Sequence, residues 1–250
     1  MLALVTMWEY AGYTSELKFV VSEDVAQAAR EWACRELDAD PHGVDSEGGG
    51  YRTASLYFDT ETFDLYNRRG STGRAKFRVR RYNGGAIVFL ERKQKVDGRL
   101  YKRRSLIPLE DLGRVASETE GGEPEERWPG RWFVRRLRNR RLRPVCQIVY
   151  SRTARVGAAR EGALRLTIDR SIFAQPVHSF DFRDEPGVQL LPDMAILELK
   201  YETVRPALFE RLVADLGLEP RALSKYRLAA GTLGLAAPPS PPSSVLSLVG

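Results

Sequence analysis

The chain has 250 residues and carries 39 Lys and Arg against 33 Asp and Glu, a net charge of +6. Hydrophobic residues make up 43% and charged residues 29%, an ordinary globular balance that excludes wholesale disorder. No apolar run reaches the ~18 residues of a membrane span, the first residues lack the basic stretch of a secretory signal, and two cysteines, Cys34 and Cys146, are too few for a disulfide scaffold or a paired-cysteine metal site. The expectation is a soluble, cytoplasmic protein whose two thiols are free and buried.

In chain order, period-two alternation predicts a first strand over 15–21. A helix follows over 22–37, with Ser22 as N-cap, acids in its first turn and apolar residues at helical spacing. Residues 40–50, with Pro41 and three glycines, read as a loop before a strand over 52–59. Strands over 75–82 and 86–94 are joined through Asn83-Gly84-Gly85, a strong hairpin signal, and a further strand covers 99–107. A helix over 131–142 gathers Trp132, Phe133, Val134 and Leu137 on its apolar side. Strands over 145–152, 163–169 and 195–201 precede helices over 206–216, with Pro206 in the first turn and Gly217 as C-cap, and over 221–233. The Pro/Ser-rich stretch 236–250 reads as a disordered tail after one domain over 1–235. Eight mostly antiparallel strands with few crossover helices suggest an α+β fold, a closed β-barrel or sandwich with helices packed outside.

The modest net charge hides a strong asymmetry. From Arg68 to Arg104 there are 14 basic residues and two acids; Ser105 to Gly130 is acidic; Arg131 to Arg143 then packs 7 arginines with no acid. Strand faces sort these charges, because successive side chains point to opposite sides. Lys76, Arg78 and Arg80 oppose Ala75, Phe77 and Val79. Arg165, Thr167 and Asp169 oppose Leu164, Leu166 and Ile168. Glu16 and Lys18 oppose Leu17 and Phe19, and Glu198 and Lys200 share the face opposite Leu197 and Leu199. An ordinary half-exposed sheet would put such charges outward. The alternative is that helices cover the apolar faces and the charges line a lumen. That lumen would be mainly cationic, and burying unpaired ions costs several kcal/mol each, so it makes sense only as a wet tunnel for a polyanion. The arginine block 131–143 reads as a solvated helix face.

The segments YTSELKFVV (13–21), SLYFDTETFDLY (55–66), KFRVR (76–80), FLERK (89–93), KRRSL (102–106), VYSRTA (149–154), LRLTID (164–169), ILELKY (196–201) and LSKY (223–226) come in this order. Together they resemble the vacuolar transporter chaperone (VTC) polyphosphate polymerase domain, a branch of the triphosphate tunnel metalloenzyme, or CYTH-like, superfamily. The resemblance runs from about residue 13 to 233. It implies an eight-stranded antiparallel barrel enclosing a basic tunnel. Its implied activity is transfer of the ATP γ-phosphate to a phosphate or polyphosphate end, with a divalent metal, Mn²⁺ or Mg²⁺. Carried over motif by motif, the catalytic candidates are Arg78, Arg80, Lys93 and Arg152. The substrate-binding candidates are Lys18, Lys102, Arg104, Tyr150, Arg165, Lys200, Ser224 and Lys225, and the metal ligand is Glu198. The superfamily's Glu-x-Glu-x-Lys signature reads Thr14-Ser15-Glu16-Leu17-Lys18 here, with one carboxylate missing, which favours the polymerase-like branch. The expected ligands are ATP and polyphosphate or triphosphate. Nucleic acid is not expected, since no aromatic residues interleave with the cations as stacking platforms. Two other readings stand beside the polymerase: a triphosphatase or polyphosphatase with water as acceptor, and a non-catalytic polyphosphate-binding module.

Overall fold

A computed structural model describes residues 15–41, 50–70, 73, 75–96, 99–185, 187–202 and 204–236. The strands are β1 (Ser15–Ser22), β2 (Asp38–Ala39), β3 (Gly50–Asp59), β4 (Ala75–Tyr82), β5 (Ile87–Val96), β6 (Arg99–Pro108), β7 (Arg143–Ala159), β8 (Gly162–Pro176), β9 (Val188–Gln189) and β10 (Met194–Tyr201). The helices are α1 (Glu23–Glu36), α2 (Asp64–Asn67), α3 (Leu112–Glu120), α4 (Arg131–Asn139), α5 (Ala207–Asp215) and α6 (Lys225–Thr232). All strands belong to one antiparallel sheet in the order β1-β10-β8-β7-β3-β4-β5-β6, with the two-residue strands β2 and β9 flanking β7 and β8.

The β4–β5 hairpin turns as its sequence demands. Asn83 (φ 47°) and Gly84 (φ 66°) both take left-handed backbone, and the Gly85 N–H donates to the Tyr82 carbonyl at 2.8 Å. The resulting register sets Lys76 opposite Lys93 and Arg78 opposite Glu91. The Ser22 hydroxyl caps α1 by accepting from the Val25 N–H, as its position predicts.

Helices cover the outside of the curled sheet. Phe77, Val79, Val88, Leu90 and Ile107 form one buried cluster with Leu112 and Val115 of α3 and Phe133, Val134 and Leu137 of α4. Phe19, Leu164, Leu166, Ile168, Leu197 and Leu199 form a second with Ala26, Ala29 and Ala33 of α1 and Phe209 and Leu212 of α5. Each large apolar side chain so buried contributes roughly 1.5–3 kcal/mol. The apolar faces therefore point outward to the helices and the ionic faces inward, which rejects the half-exposed sheet. A third cluster lies within the curl, where Tyr226, Ala229 and Ala230 of α6 meet Tyr57, Ile148, Tyr150, Ile172 and Ile196. Helix α6 thus plugs one end.

The α+β class and the tunnel are found, but the expected closure is not. Among the described residues no ladder joins the edge strands β1 and β6. Lys93 Nζ of β5 instead reaches both oxygens of Glu16 of β1 at 3.1 Å. A backbone ladder there would bring Lys102 of one edge toward Lys18 of the other, and like charges directly opposed destabilise a sheet.

Other expectations need correcting. Strands β7 and β8 run well beyond 145–152 and 163–169, paired as far as Ala159 opposite Gly162 and Cys146 opposite Pro176. A bulge between Val149 and Ser151 breaks the alternation on which the shorter bounds rested. Helix α3 lies in the acidic segment, where only Leu112 and Val115 are buried, too few for a readable stripe. Helix α6 begins at Lys225 rather than 221: Ser224 is extended (φ −134°), its hydroxyl caps the helix, and the Arg221 N–H is tied to the Lys18 carbonyl at 2.7 Å. Cys146 is buried, but Cys34 is exposed on α1, where Arg155 Nη2 donates to its Sγ at 3.0 Å. Ala236 is buried, one residue past the expected domain end; residues 237–250 of the tail lie outside the described residues. No helix among the described residues is long and apolar enough to cross a membrane.

Candidate active site

Inside the curl, alternation brings cations from six strands and one helix to a single cavity. Lys18, Lys76, Arg78, Arg80, Lys93, Lys102, Arg152, Lys200 and Lys225 line it and Arg92 borders it, with Glu16, Glu91 and Glu198 as its acids among the described residues. Tyr57, Tyr150 and Ser224 complete the wall near α6.

Each acid is gripped by more than one cation. Glu198 lies 3.1 Å from Lys18 Nζ, 3.4 Å from Lys200 Nζ and 3.1 Å from Lys225 Nζ. Burial alone would raise its pKa, but the three ammoniums, Lys225 foremost, hold it well below the usual carboxylate range. Glu91 receives Arg78 Nε at 2.5 Å and lies 3.2 Å from Arg104 Nε; these guanidiniums, with Arg80, overcome burial and keep it ionised. Glu16 bridges Lys18 at 3.3 Å and Lys93 at 3.1 Å, and despite burial is held down at about 2. Just behind the wall, the fully buried Asp169 takes a two-pronged bond from Arg152, at 2.6 and 2.7 Å, and an ion pair from Lys225 at 2.5 Å. Arg80 donates to Ser55 Oγ at 3.0 Å, and Arg78 to the Tyr57 hydroxyl at 3.2 Å.

The floor of the cavity is the first turn of α6, capped by Ser224. A helix N-terminus carries partial positive charge and free N–H groups, so it adds to the attraction for an anion. The Tyr150 ring lies 5.2 Å from the Arg152 guanidinium and 5.3 Å from Lys225 Nζ, a cation–π contact that fixes both.

Of the sequence-predicted residues, Lys18, Arg78, Arg80, Lys93, Lys102, Tyr150, Arg152, Glu198, Lys200, Ser224 and Lys225 meet at this cavity. Arg104 and Arg165 stand apart from it. Arg104 lies over the Phe89 ring at 3.7 Å beside Glu91, and Arg165 is held by Asp40 at 2.5 Å and by the Tyr51 hydroxyl at 3.3 Å. Three residues are added. Lys76 shares the face of Arg78 and Arg80, so the alternation already carried it. Asp169 likewise shares the face of Arg165 and Thr167. Tyr57 had no charge signal, because its face of β3 carries Thr53 and Ser55, polar but uncharged.

Burial also leaves a titratable group in the site. Desolvation, with Arg152 and Lys18 nearby, pushes the Lys200 ammonium down to about 7 against the pull of Glu198. Lys76 is pushed down to about 8, again by burial first. A bound polyanion favours the charged form, so its binding should take up protons where these lysines are neutral when free. The sign follows: affinity falls as pH rises from 7 to 9, by up to about tenfold per unit for one lysine. Calorimetry in buffers of different ionisation enthalpy would read the uptake, and Lys200→Arg should flatten most of it. A pH-independent affinity would show Lys200 charged throughout.

These features define a tunnel-type fold: a curled antiparallel sheet, one basic lumen and a helix N-terminus as its floor. The VTC domain family profile matches residues 13–233, and the chain belongs to that family. Among solved structures, a candidate adenylate cyclase of Bacillus halodurans superposes with a TM-score of 0.52 at 15% identity, over 85% of this chain and 94% of that one. A candidate adenylyl cyclase of Hippeastrum, described as having a dominant triphosphatase activity, gives 0.49 at 16% identity over 87% and 95%. Comparison with curated proteins gave no match.

Proposed function

We propose that this domain transfers the γ-phosphoryl group of ATP to the end of a phosphate or polyphosphate chain held in the tunnel. The observation that supports transfer over hydrolysis is the state of the acids. Glu16, Glu91, Glu198 and Asp169 are each bound to cations, and all four are held ionised by them. Carboxylates held down in this way and engaged by cations are weak bases toward water. An ionised phosphate acceptor needs no such base: its terminal oxygen attacks the γ-phosphorus, the bond to the β–γ bridging oxygen breaks, and ADP leaves with that electron pair.

Phosphoryl transfer depends mainly on positioning and charge stabilisation. Arg78, Arg80 and Arg152 offer the guanidinium N–H groups that Glu91, Tyr57, Ser55 and Asp169 do not engage to the oxygens of the transferring group. Lys18, Lys200 and Lys225 neutralise the phosphates on either side, and Lys93 and Lys102 receive the chain at the more open end. Glu198 and Glu16 supply hard oxygen donors of the kind Mn²⁺ and Mg²⁺ prefer. Among the described residues no three His, Cys, Asp or Glu side chains come together as a complete metal site. The fit is therefore to a cation that shares one or two carboxylates with substrate phosphates, as Mg²⁺ commonly does. Such a metal would add charge neutralisation on those phosphates.

Incubation with γ-labelled ATP and Mn²⁺ or Mg²⁺, with products resolved by chain length, tests this reading. A ladder of labelled polyphosphate is expected. Label released only as orthophosphate would make the domain a hydrolase, and no turnover with any metal would leave a binding module.

A further inference from the structure

Asp59 ends β3, within the segment SLYFDTETFDLY, and is fully buried without lining the tunnel cavity. Four donors converge on its two oxygens. The Thr60 and Leu65 N–H groups reach Oδ1 at 2.7 and 2.9 Å, and the Tyr66 N–H reaches Oδ2 at 2.9 Å. The fourth is the Tyr226 hydroxyl of α6, 2.5 Å from Oδ2 and 167 residues further along the chain. A carboxylate accepts on both oxygens, whereas an asparagine would turn one of them into a donor set against an N–H. The turn that delivers the three backbone groups is itself strained. Phe63 takes left-handed backbone at φ 55°, which a non-glycine residue keeps only where its surroundings enforce it.

What this network holds is the floor of the tunnel. Helix α6 has eight residues, too few to keep its place alone, and its buried Ala229 and Ala230 give packing without direction. Direction comes from Tyr226. Its ring stacks on Tyr57 at 5.4 Å, and the Tyr57 hydroxyl in turn accepts from Arg78. Arg227 lies over the Tyr66 ring at 5.4 Å, so the turn after β3 and the start of α6 pack as one unit. Lys225, the residue before Tyr226, must bring its ammonium to 2.5 Å from Asp169 and 3.1 Å from Glu198. A displacement of α6 by about 1 Å would spoil both contacts, and errors of that size cost a site dearly.

We propose that Asp59 is a positioning residue of the tunnel: through the Tyr226 hydroxyl it fixes the first turn of α6 and sets Lys225 where it meets a bound phosphate chain. This rests on the tunnel binding phosphate chains, and it holds whichever acceptor the chemistry uses.

Tyr226→Phe keeps the ring and its stack and deletes only the link to Asp59. The test is a double-mutant cycle on the full chain, read as metal-free affinity for tripolyphosphate at one salt concentration. Tyr226→Phe is expected to weaken binding about three- to tenfold in the wild-type background and less than about twofold once Lys225 is replaced by alanine. In a Lys93→Ala background the full loss should return, since Lys93 pairs with Glu16 rather than with the partners of Lys225. Asp59→Asn should show the same dependence on Lys225; if it does not fold, the Tyr226→Phe cycle decides alone. A merely structural role would lower the melting temperature and weaken binding equally in every background, and that pattern overturns the proposal. Unchanged affinity in folded Tyr226→Phe overturns it too. A wild type that does not bind tripolyphosphate at all refutes the reading of the tunnel as well, whereas one that binds it but makes no polyphosphate refutes only the transfer reaction, because the cycle is read from binding.

Discussion

The Glu198→Gln protein should form no ADP from ATP and Mn²⁺, yet bind polyphosphate without metal at least as tightly as the wild type. The two halves of this result have separate causes. Glu198 is the acid most deeply set among the tunnel cations, 6% exposed, with Lys18, Lys200 and Lys225 all within 3.4 Å. An amide is a far poorer ligand than a carboxylate for a hard divalent cation, so a metal that works there is lost. The same change removes the counter-charge of three ammoniums, which then have more to gain from phosphate. Undiminished turnover would remove Glu198 from the reaction, and weakened metal-free binding would show that it organises the lysines rather than competing for them.

A loss of affinity is expected instead from Arg78→Ala combined with Arg80→Ala. Charge-assisted hydrogen bonds contribute about 1.5–3 kcal/mol each, so losing two guanidiniums should weaken polyphosphate binding by on the order of a hundredfold or more. The fold should survive: Glu91 keeps Arg104 beside it, and the outward neighbours Phe77 and Val79 still pack under α4. Affinity measured at one fixed salt concentration, beside thermal melting, separates site from scaffold, because polyanion binding varies steeply with ionic strength. Unchanged affinity in a folded double variant would move the binding site out of the tunnel.

Period-two alternation was enough to read the inner wall. In KFRVR and LRLTID each apolar residue faces a helix and each charged residue faces the lumen or its rim, so which face carries the chemistry was legible strand by strand. Depth along the tunnel was not. Arg104 and Arg165 lie on the predicted inner faces, but Phe89 of the neighbouring strand captures one, and Asp40 with Tyr51, remote in the chain, the other. Tyr57 was hidden for a related reason: the inner face of β3 carries no charge, and what brings Tyr57 into the site is its stacking on Tyr226 of α6, far away in the chain. Closure was overread because strand number and pairing do not reveal whether the two edges meet, and here Glu16 and Lys93 meet by side chains alone.

The sheet order also sets a folding sequence. Strands β3, β4, β5 and β6 are successive sheet neighbours, and β4 to β6 follow one another closely in the chain. By contrast β1 pairs only with β10, with Ser22 opposite Met194 and Ser15 opposite Tyr201. Local pairings form ahead of those that must first close a long loop. The wall bearing Lys76, Arg78, Arg80, Lys93 and Lys102 is then built before the strands that bring Glu16, Asp169 and Glu198. Pulse-labelled amide exchange would catch β4 protected before β1. In a cell the half-made protein is a more indiscriminate cation than the finished one, and its own late-arriving carboxylates make it selective.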